Sequence, residues 1–395
     1  MMSAKIITFI LIIVMADTVA LRAMAHELEV TVASKQELRE ALEQVKPGSR
    51  ILLAPGDYEG EINFRDLNGM PSKPIVIAAA NPERMPVING GGSGIHLVNV
   101  SYVELHNLML SGARGNGLNI DDGGTFETPT HHILLRGLVV RDVGPEGNRD
   151  GIKLSGVDDF RVEGCTIERW GSGGSGIDMV GCHRGVIEGC TFRHGDNVGS
   201  NAVQTKGGSC NVIVRRCRFE HAGSRAINIG GSTGIRFFRP KPQGYEAKDI
   251  TVEGCTFIGS MAPVAFVGVD GAVVRFNTIY CPTKWIVRIL QETRKPEFVS
   301  CRNGKFTDNI IAFRSDEVVD TVNIGPDTSP ETFTFARNFW YCLDDPGKSN
   351  PDLPAPESDG IYSEDPMFHD AEKGNLKLKP DSPAKNAGAQ ALPED

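Results

Sequence analysis

The sequence predicts an all-β chain wound as a right-handed parallel β-helix, and three observations carry that expectation. A cysteine recurs in one local context, VEGCTI, IEGCTF, VRRCRF and VEGCTF, at Cys165, Cys190, Cys217 and Cys255. The same column runs on through LHNLML at Asn107 and LRGLVV at Gly137 before it, and through RFNTIY, TDNIIA and ARNFWY at Asn277, Asn309 and Asn338 after it. A second set of short segments recurs upstream in each unit: GLNI at 117–120, GIKL at 151–154, GIDM at 176–179, AVQT at 202–205 and AINI at 226–229. The column spacing, roughly 22 to 38 residues, suits a solenoid coil that carries loops on some turns.

Taken from the start, Lys5 precedes an apolar run from Ile6 to Met15 and then Ala23, Met24 and Ala25. A charged region, a short apolar region and an A-x-A site read as a secretory signal over 1–25, which predicts an exported chain, secreted or periplasmic. A membrane anchor is the alternative, but no stop-transfer pattern follows. Residues 26–50 are expected to cap the solenoid: Ser34 and Glu37 form an S-x-x-E capping box, opening a helix through about Val45 with Leu38 and Leu42 on one face, stopped by Pro47 and Gly48. Residues 51–344 form the β-helix. Residues 345–395, rich in Pro, Asp and Ser, read as an irregular arm along or across the last coil, with Ile361, Phe368, Leu376 and Leu378 to bury.

Nine cysteines in an exported chain would ordinarily suggest a disulfide framework. Recurrence at one point of a repeat predicts instead that Cys165, Cys190, Cys217 and Cys255 stack inward as small, inert thiols. Two residues after each column position stands an apolar residue, namely Met109, Val139, Ile167, Phe192, Phe219, Phe257, Ile279, Ile311 and Trp340, expected to form one inner ladder. The asparagines are expected to form an amide ladder beside it. Cys182 and Cys210 stand at similar turn positions of adjacent coils, which leaves a disulfide open to them, although in-register coils hold Cβ atoms slightly too far apart for relaxed geometry.

In the upstream strands, apolar and polar residues alternate, which turns Asn119, Lys153, Asp178, Gln204 and Asn228 outward, followed two residues on by Asp121, Ser155, Val180, Lys206 and Gly230. The net charge of −9 argues against nucleic acid or an anionic membrane as partner. It leaves room for a local basic stripe that grips an acidic polysaccharide. The insertion at 230–245 brings Arg236, Phe237, Phe238, Arg239, Lys241 and Tyr245, expected as a cleft wall; the alternative is that its phenylalanines pack on the helix flank. β-Elimination on a uronate polymer needs a neutralised carboxylate, a base for the proton α to it and a proton for the leaving oxygen. Lys206 is the candidate base, with Arg225 and Lys153 neutralising the carboxylate. Asn119, Asp150, Gln204, Asn228, Arg236, Phe238, Arg239, Tyr245 and Arg288 are candidate substrate contacts.

The run from Val30 to Gly92, with PGSRILLAPGDYEGEI and KPIVIAAA, resembles the entrance to the helix in the chondroitinase B and alginate lyase family of polysaccharide lyases. QTKGGSCNVIVRRCRFEHAG is similar to that family's catalytic stretch, which has its catalytic lysine where Lys206 stands. The resemblance implies a pectate-lyase-like solenoid and a lyase acting on an acidic, uronate-containing polysaccharide. There are departures: a calcium-ligating glutamate of the family falls at Asn201, and its catalytic arginine falls near Asn228, with Arg225 offset. For calcium this leaves Asp178, Asp196 and Asn201, a thin set for an ion that prefers several carboxylate oxygens.

Two other functions compete. A glycan-binding or surface-structural β-helix would carry the same polar face without catalysis. A hydrolase or epimerase on the fold would need paired carboxylates, for which Asp150 and Asp178, joined by Asp121 or Asp122, are the candidates. His183, His194 and His221 fall at or near turns, and His194 and His221 lack a third ligand for zinc. A monomer is expected.

Overall fold

Each coil of the computed structural model, which describes residues 28–125, 127–195, 199–242 and 244–394, contributes one strand to each of three parallel sheets. The winding is that of a right-handed parallel β-helix. Among the described residues the sheets hold 13, 12 and 10 strands, called here sheets A, B and C, and each strand pairs with its counterpart one coil away. The signal segment 1–25 and Asp196 lie outside the described residues. The GLNI, GIKL, GIDM, AVQT and AINI segments are all strands of sheet C, and the cysteine column lies where sheet A turns into sheet B.

The cap helix is shorter than predicted, Lys35–Leu42, with Leu38, Ala41 and Leu42 buried. Ser34 Oγ accepts from Glu37 N at 3.1 Å, and the Glu37 carboxylate reaches back to Ala33 N at 2.8 Å. A strand, Glu29–Val32, precedes the helix and is already paired in sheet A with Arg50–Leu53, so the helix plugs the end of a coil that has begun.

Inside, Phe192, Phe219 and Phe257 stack with ring centroids 4.8 and 4.7 Å apart, the spacing of neighbouring strands. Cys165, Cys190, Cys217 and Cys255 are buried in one column and all nine cysteines are free. Cys182 and Cys210 form no bond: His183 is the register partner of Cys210, so the two cysteines are one residue out of step. The amide ladder is present and continuous. Asn277 N donates to Asn309 Oδ1 (2.9 Å), Asn309 N to Asn338 Oδ1 (3.0 Å), and Asn338 N to Glu357 Oε1 (3.1 Å), where a carboxylate ends the series. Asn309→Ala orphans a buried backbone amide and a carbonyl. At ~1–3 kcal/mol per buried group it is expected to lower stability by about 3 kcal/mol, read from the denaturant midpoint.

The early part of the ladder is corrected. Val139 and Met109 pair with each other and are half exposed; the inner residues are Leu110 and Val140, with Val140 in register with Ile167. The cause is a frame shift at Asn107 and Gly137. Both have positive φ (54° and 62°), as does Gly164 (58°), so they belong to the turn, and Leu108 and Leu138 are the counterparts of Cys165. The C-terminal arm adds one short strand each to sheets A and B, then forms the hairpin Phe368–Asp370 with Asn375–Leu378. Phe368 and Leu376 pack on Ile310 and Phe339, whereas Ile361 is exposed, contrary to expectation, because it stands on an uncovered outer strand. The arm runs back along sheet B: Arg218 donates to Gly374 O and Arg216 to Pro393 O.

Candidate active site

Strict alternation and in-register stacking decide which side chains share the outer face of sheet C. One row runs His96, Asn119, Lys153, Asp178, Gln204, Asn228, Ala265, Arg288 and Asn323, each the register partner of the next. A second row, two residues on, contains Asp121, Ser155, Val180 and Lys206.

At the centre, two carboxylates and two ammonium groups interlock. Lys153 is hydrogen-bonded to Asp178 Oδ2, and its Nζ lies 3.7 Å from Asp150 Oδ2. Lys206 Nζ stands 3.1 Å from Asp178 Oδ1, an ionic contact off the hydrogen-bond axis, and donates to Gln204 Oε1 at 3.2 Å. Burial works against the charge on Asp178, but Lys153 and Lys206 outweigh it and hold the carboxyl below its ordinary range. Burial likewise opposes the charge on Lys153, and Asp178 and Asp150 together overcome it and raise its pKa. Asp150 is pushed up to about 6, first by burial and then by Asp178.

Asp150 thus gives a pH signature with a definite sign. Its pKa in the fold lies above the ordinary 3.8, so the stability linked to its protonated form is complete below pH 3.8 and lost as pH rises through about 6. Asp150→Asn is expected to be more stable than wild type at pH 7, by at most about 3 kcal/mol at 1.36 kcal/mol per unit, and equal to it below pH 4. Denaturation midpoints across pH 3–8 would show this; a gap independent of pH would contradict it.

Toward the C-terminal coils the row opens into a cavity of about 520 Å³ lined by Asn201, Gln204, Arg225, Asn228, Trp285 and Arg288 with Glu292. Arg225, register partner of Asn201, donates to Asn228 Oδ1 at 3.0 Å and to Glu292 Oε1 at 2.8 Å. Arg288 lies 4.2 Å over the Trp285 ring and donates to Asn323 Oδ1 at 2.9 Å. Burial, and then Arg225, push Arg288 down to about 10. Two guanidinium groups facing one carboxylate leave this cavity with an excess of positive charge.

The structure brings Gln204, Arg225, Asn228 and Arg288 to one cleft, with Lys206 at its edge through Gln204, and separates or occupies the other predicted residues. Lys153 is paired with Asp178 and lies 3.7 Å from Asp150, and it is not among the residues lining the cavity. Asp150 is 2% exposed and fully exposed contact is denied to it. Asn119 donates to Asp121, itself 2.6 Å from His96, farther toward the N-terminal coils. Phe238 is buried and packs edge-on against Phe298, so the flank-packing alternative is correct for that ring. Arg239 is ion-paired to buried Asp122 and lies against Gly156 and Gly181, which strap the loop along the turns. Arg236 lies 4.6 Å over exposed Phe237. By Tyr245 the chain has passed to the side of sheet A, where Lys248 covers the ring. The part of the loop that does wall the cleft is its first turn: a Cβ at Gly231 would meet Gln204 Nε2 at 2.4 Å and Lys206 Cδ at 3.4 Å. Trp285, Glu292 and Asn323 went unpredicted: Trp285 stands three residues before Arg288, so alternation alone puts the two on opposite sides of the strand, and it is the structure that brings the ring under the guanidinium.

Of the residues expected to hold calcium, Asp196 lies outside the described residues, and the other two are engaged. Both Asp178 oxygens are taken by ammonium groups, Asn201 donates toward Gln204, and among the described residues no three His, Cys, Asp or Glu side chains gather as a metal set. The hydrolase pair fails on access, since Asp150 and Asp178 side chains are 3% and 0% exposed and cannot flank a glycosidic bond.

Residues 93–279 match the family described as a right handed beta helix region, and residues 32–122 match Chondroitinase B. No curated protein matches the chain. Among solved structures, the A-module of a mannuronan C-5 epimerase from Azotobacter vinelandii aligns with TM-score 0.57 at 14% identity over 82% of this chain and 94% of that one. A rhamnogalacturonan lyase aligns with TM-score 0.55 at 14% identity over 91% and 90%. A PL6 family polysaccharide lyase from Pseudopedobacter saltans aligns with TM-score 0.50 at 12% identity over 92% and 99%. At these identities the likeness shows the fold, a right-handed parallel β-helix.

Proposed function

We propose that the chain cleaves an acidic, uronate-containing polysaccharide by β-elimination in the cleft beside Lys206. The observation that carries this reading is the junction of a lysine with a cavity of net positive charge: Lys206 contacts Gln204 at the cavity wall, with Arg225 and Arg288 beyond it. Arg225 and Arg288 bind the uronate carboxylate and draw charge from the adjacent C–H. Lys206 Nζ, once it has released its own proton to solvent, takes the proton α to that carboxylate and becomes the ammonium group again. The released electron pair forms the C4–C5 double bond, the C4–O bond breaks with its pair on the leaving oxygen, and the proton passes from Lys206 to that oxygen. Of the two lysines on Asp178, Lys153 also faces Asp150, and against its burial the two carboxylates raise its pKa, whereas Lys206 reaches Gln204 at the cavity wall and is the one placed beside a bound sugar.

The same reading takes the chain to be exported through residues 1–25 and to act as a monomer on its polymer. No helix among the described residues is long and apolar enough to cross a membrane. The test is incubation with polymannuronate, polygalacturonate and chondroitin, following absorbance of the unsaturated product. A growing chromophore is expected. New reducing ends without it would mean hydrolysis, and retention of polymer with neither would mean a binding protein.

A further inference from the structure

Below the cleft lies a carboxylate that the mechanism above does not use. Glu246 is 0% exposed and has no cationic partner among its hydrogen bonds. Its Oε1 accepts from Thr233 N at 2.8 Å and from the Thr293 hydroxyl; its Oε2 accepts from Gly207 N at 2.9 Å and from Thr233 Oγ1 at 2.8 Å. Three segments far apart in sequence converge on this one group. Gly207 directly follows Lys206; Thr233 lies two residues beyond Gly231, which walls the cleft; Thr293 directly follows Glu292, the partner of Arg225. Each is thus anchored one or two residues from a side chain or backbone of the cleft. A buried charge is costly unless its lone pairs are satisfied, so a carboxylate here, where an apolar residue would pack at lower cost, calls for a reason.

We propose that Glu246 is a positioning residue, holding Lys206, the Gly231 wall and the Arg225–Glu292 pair at fixed separation so that base and carboxylate clamp face the same sugar. This rests on the lyase reading of the cleft. The chemistry is specific to a carboxylate: each oxygen accepts from one backbone amide, and backbone amides can only donate. In Glu246→Gln, whichever way the amide turns, its nitrogen meets Gly207 N or Thr233 N, and one anchor is lost. Thr293→Val removes a third anchor at nearly constant volume, whereas Thr293→Ser keeps it.

The test pairs amide exchange with kinetics in full-length wild type, Glu246→Gln, Thr293→Val, Thr293→Ser and Asn309→Ala, the last a destabilised control away from the cleft. Exchange is expected to rise in Glu246→Gln at peptides spanning 203–210 and 230–236, and in Thr293→Val at 290–296. On whichever of polymannuronate, polygalacturonate and chondroitin the wild type cleaves, kcat is expected to fall 10- to 100-fold in Glu246→Gln and Thr293→Val with KM within threefold, and to stay unchanged in Thr293→Ser and Asn309→Ala. Unaltered kcat in a folded Thr293→Val, or exchange rising evenly along the helix as in Asn309→Ala, would overturn the proposal. If wild type cleaves none of the polymers, the lyase reading fails on its own, and the exchange pattern alone decides whether Glu246 holds the three segments.

Discussion

Lys206→Ala is expected to reduce elimination on the polymer that wild type cleaves by on the order of 10²–10⁴-fold, the usual weight of a general base, while leaving polymer binding within a few-fold. The split follows from geometry. Lys206 would meet a sugar through its single Nζ, whereas the guanidinium groups of Arg225 and Arg288 line the cavity and offer several donors each to the polymer's carboxylates. Initial rates by product absorbance and affinity by calorimetry on the same preparation would separate the two quantities. Equal loss of binding and turnover would make Lys206 a charge contact and return the cleft to a binding function.

The second large effect concerns stability. Asp178→Ala leaves the ammonium groups of Lys153 and Lys206 beside an uncharged methyl where a fully buried carboxylate stood, and breaking a buried pair in this way costs about 3–5 kcal/mol, less to the extent that water reaches the two partly exposed lysines. Because the Asp178 carboxyl is held below its ordinary 3.8, the stability it contributes is fully present above that value and lost as pH falls further. Asp178→Ala should therefore lose most at neutral pH and least in acid, the opposite trend to Asp150→Asn. Adding Lys153→Met, as Asp178→Leu with Lys153→Met, removes one of the two ammonium groups left without their carboxylate and should recover part of the loss, Lys206 remaining without its partner. Urea midpoints at pH 7 and at the most acid pH where the fold persists, well below 3.8, would check the ordering.

Much of this cleft was legible before the coordinates because a parallel β-helix converts sequence into position by simple rules. Period-two alternation decides the side, and in-register stacking decides the neighbour. Lys153, Asp178, Gln204 and Asn228 therefore appear in one row as the strands GIKL, GIDM, AVQT and AINI predict. The frame failed where a residue suits two roles. Asparagine fills both a ladder position, as at Asn309, and a left-handed turn, as at Asn107, and only the turn geometry tells them apart. The path of the 230–245 loop was beyond reach for a different reason. No repeat constrains an insertion, and nothing local shows that Arg239 meets Asp122, 117 positions earlier. Nor does spacing reveal how neighbouring charges divide among themselves, which is why Lys153 reads as a ligand contact and folds as a partner to Asp178. Glu246 had no signal at all: a single acidic residue ahead of AKDITVEG looks like an exposed strand end.

In a stack where each layer rests only on the next, a tear that starts at one end can travel layer by layer, and the end layer is the weakest point. The C-terminal arm changes that path. Having completed its short strands at Ser358 and Tyr362, the chain doubles back over sheet B, fastening Ala389 to Thr278, Gly374 to Arg218 and Pro393 to Arg216, with Leu392 seated on Gly254. It works as a seam sewn across the layers. Fraying at the Glu357 layer must first rip stitches that lie several layers inward, so a tension applied through residue 394 enters the middle of the stack in shear and spares its exposed last rung.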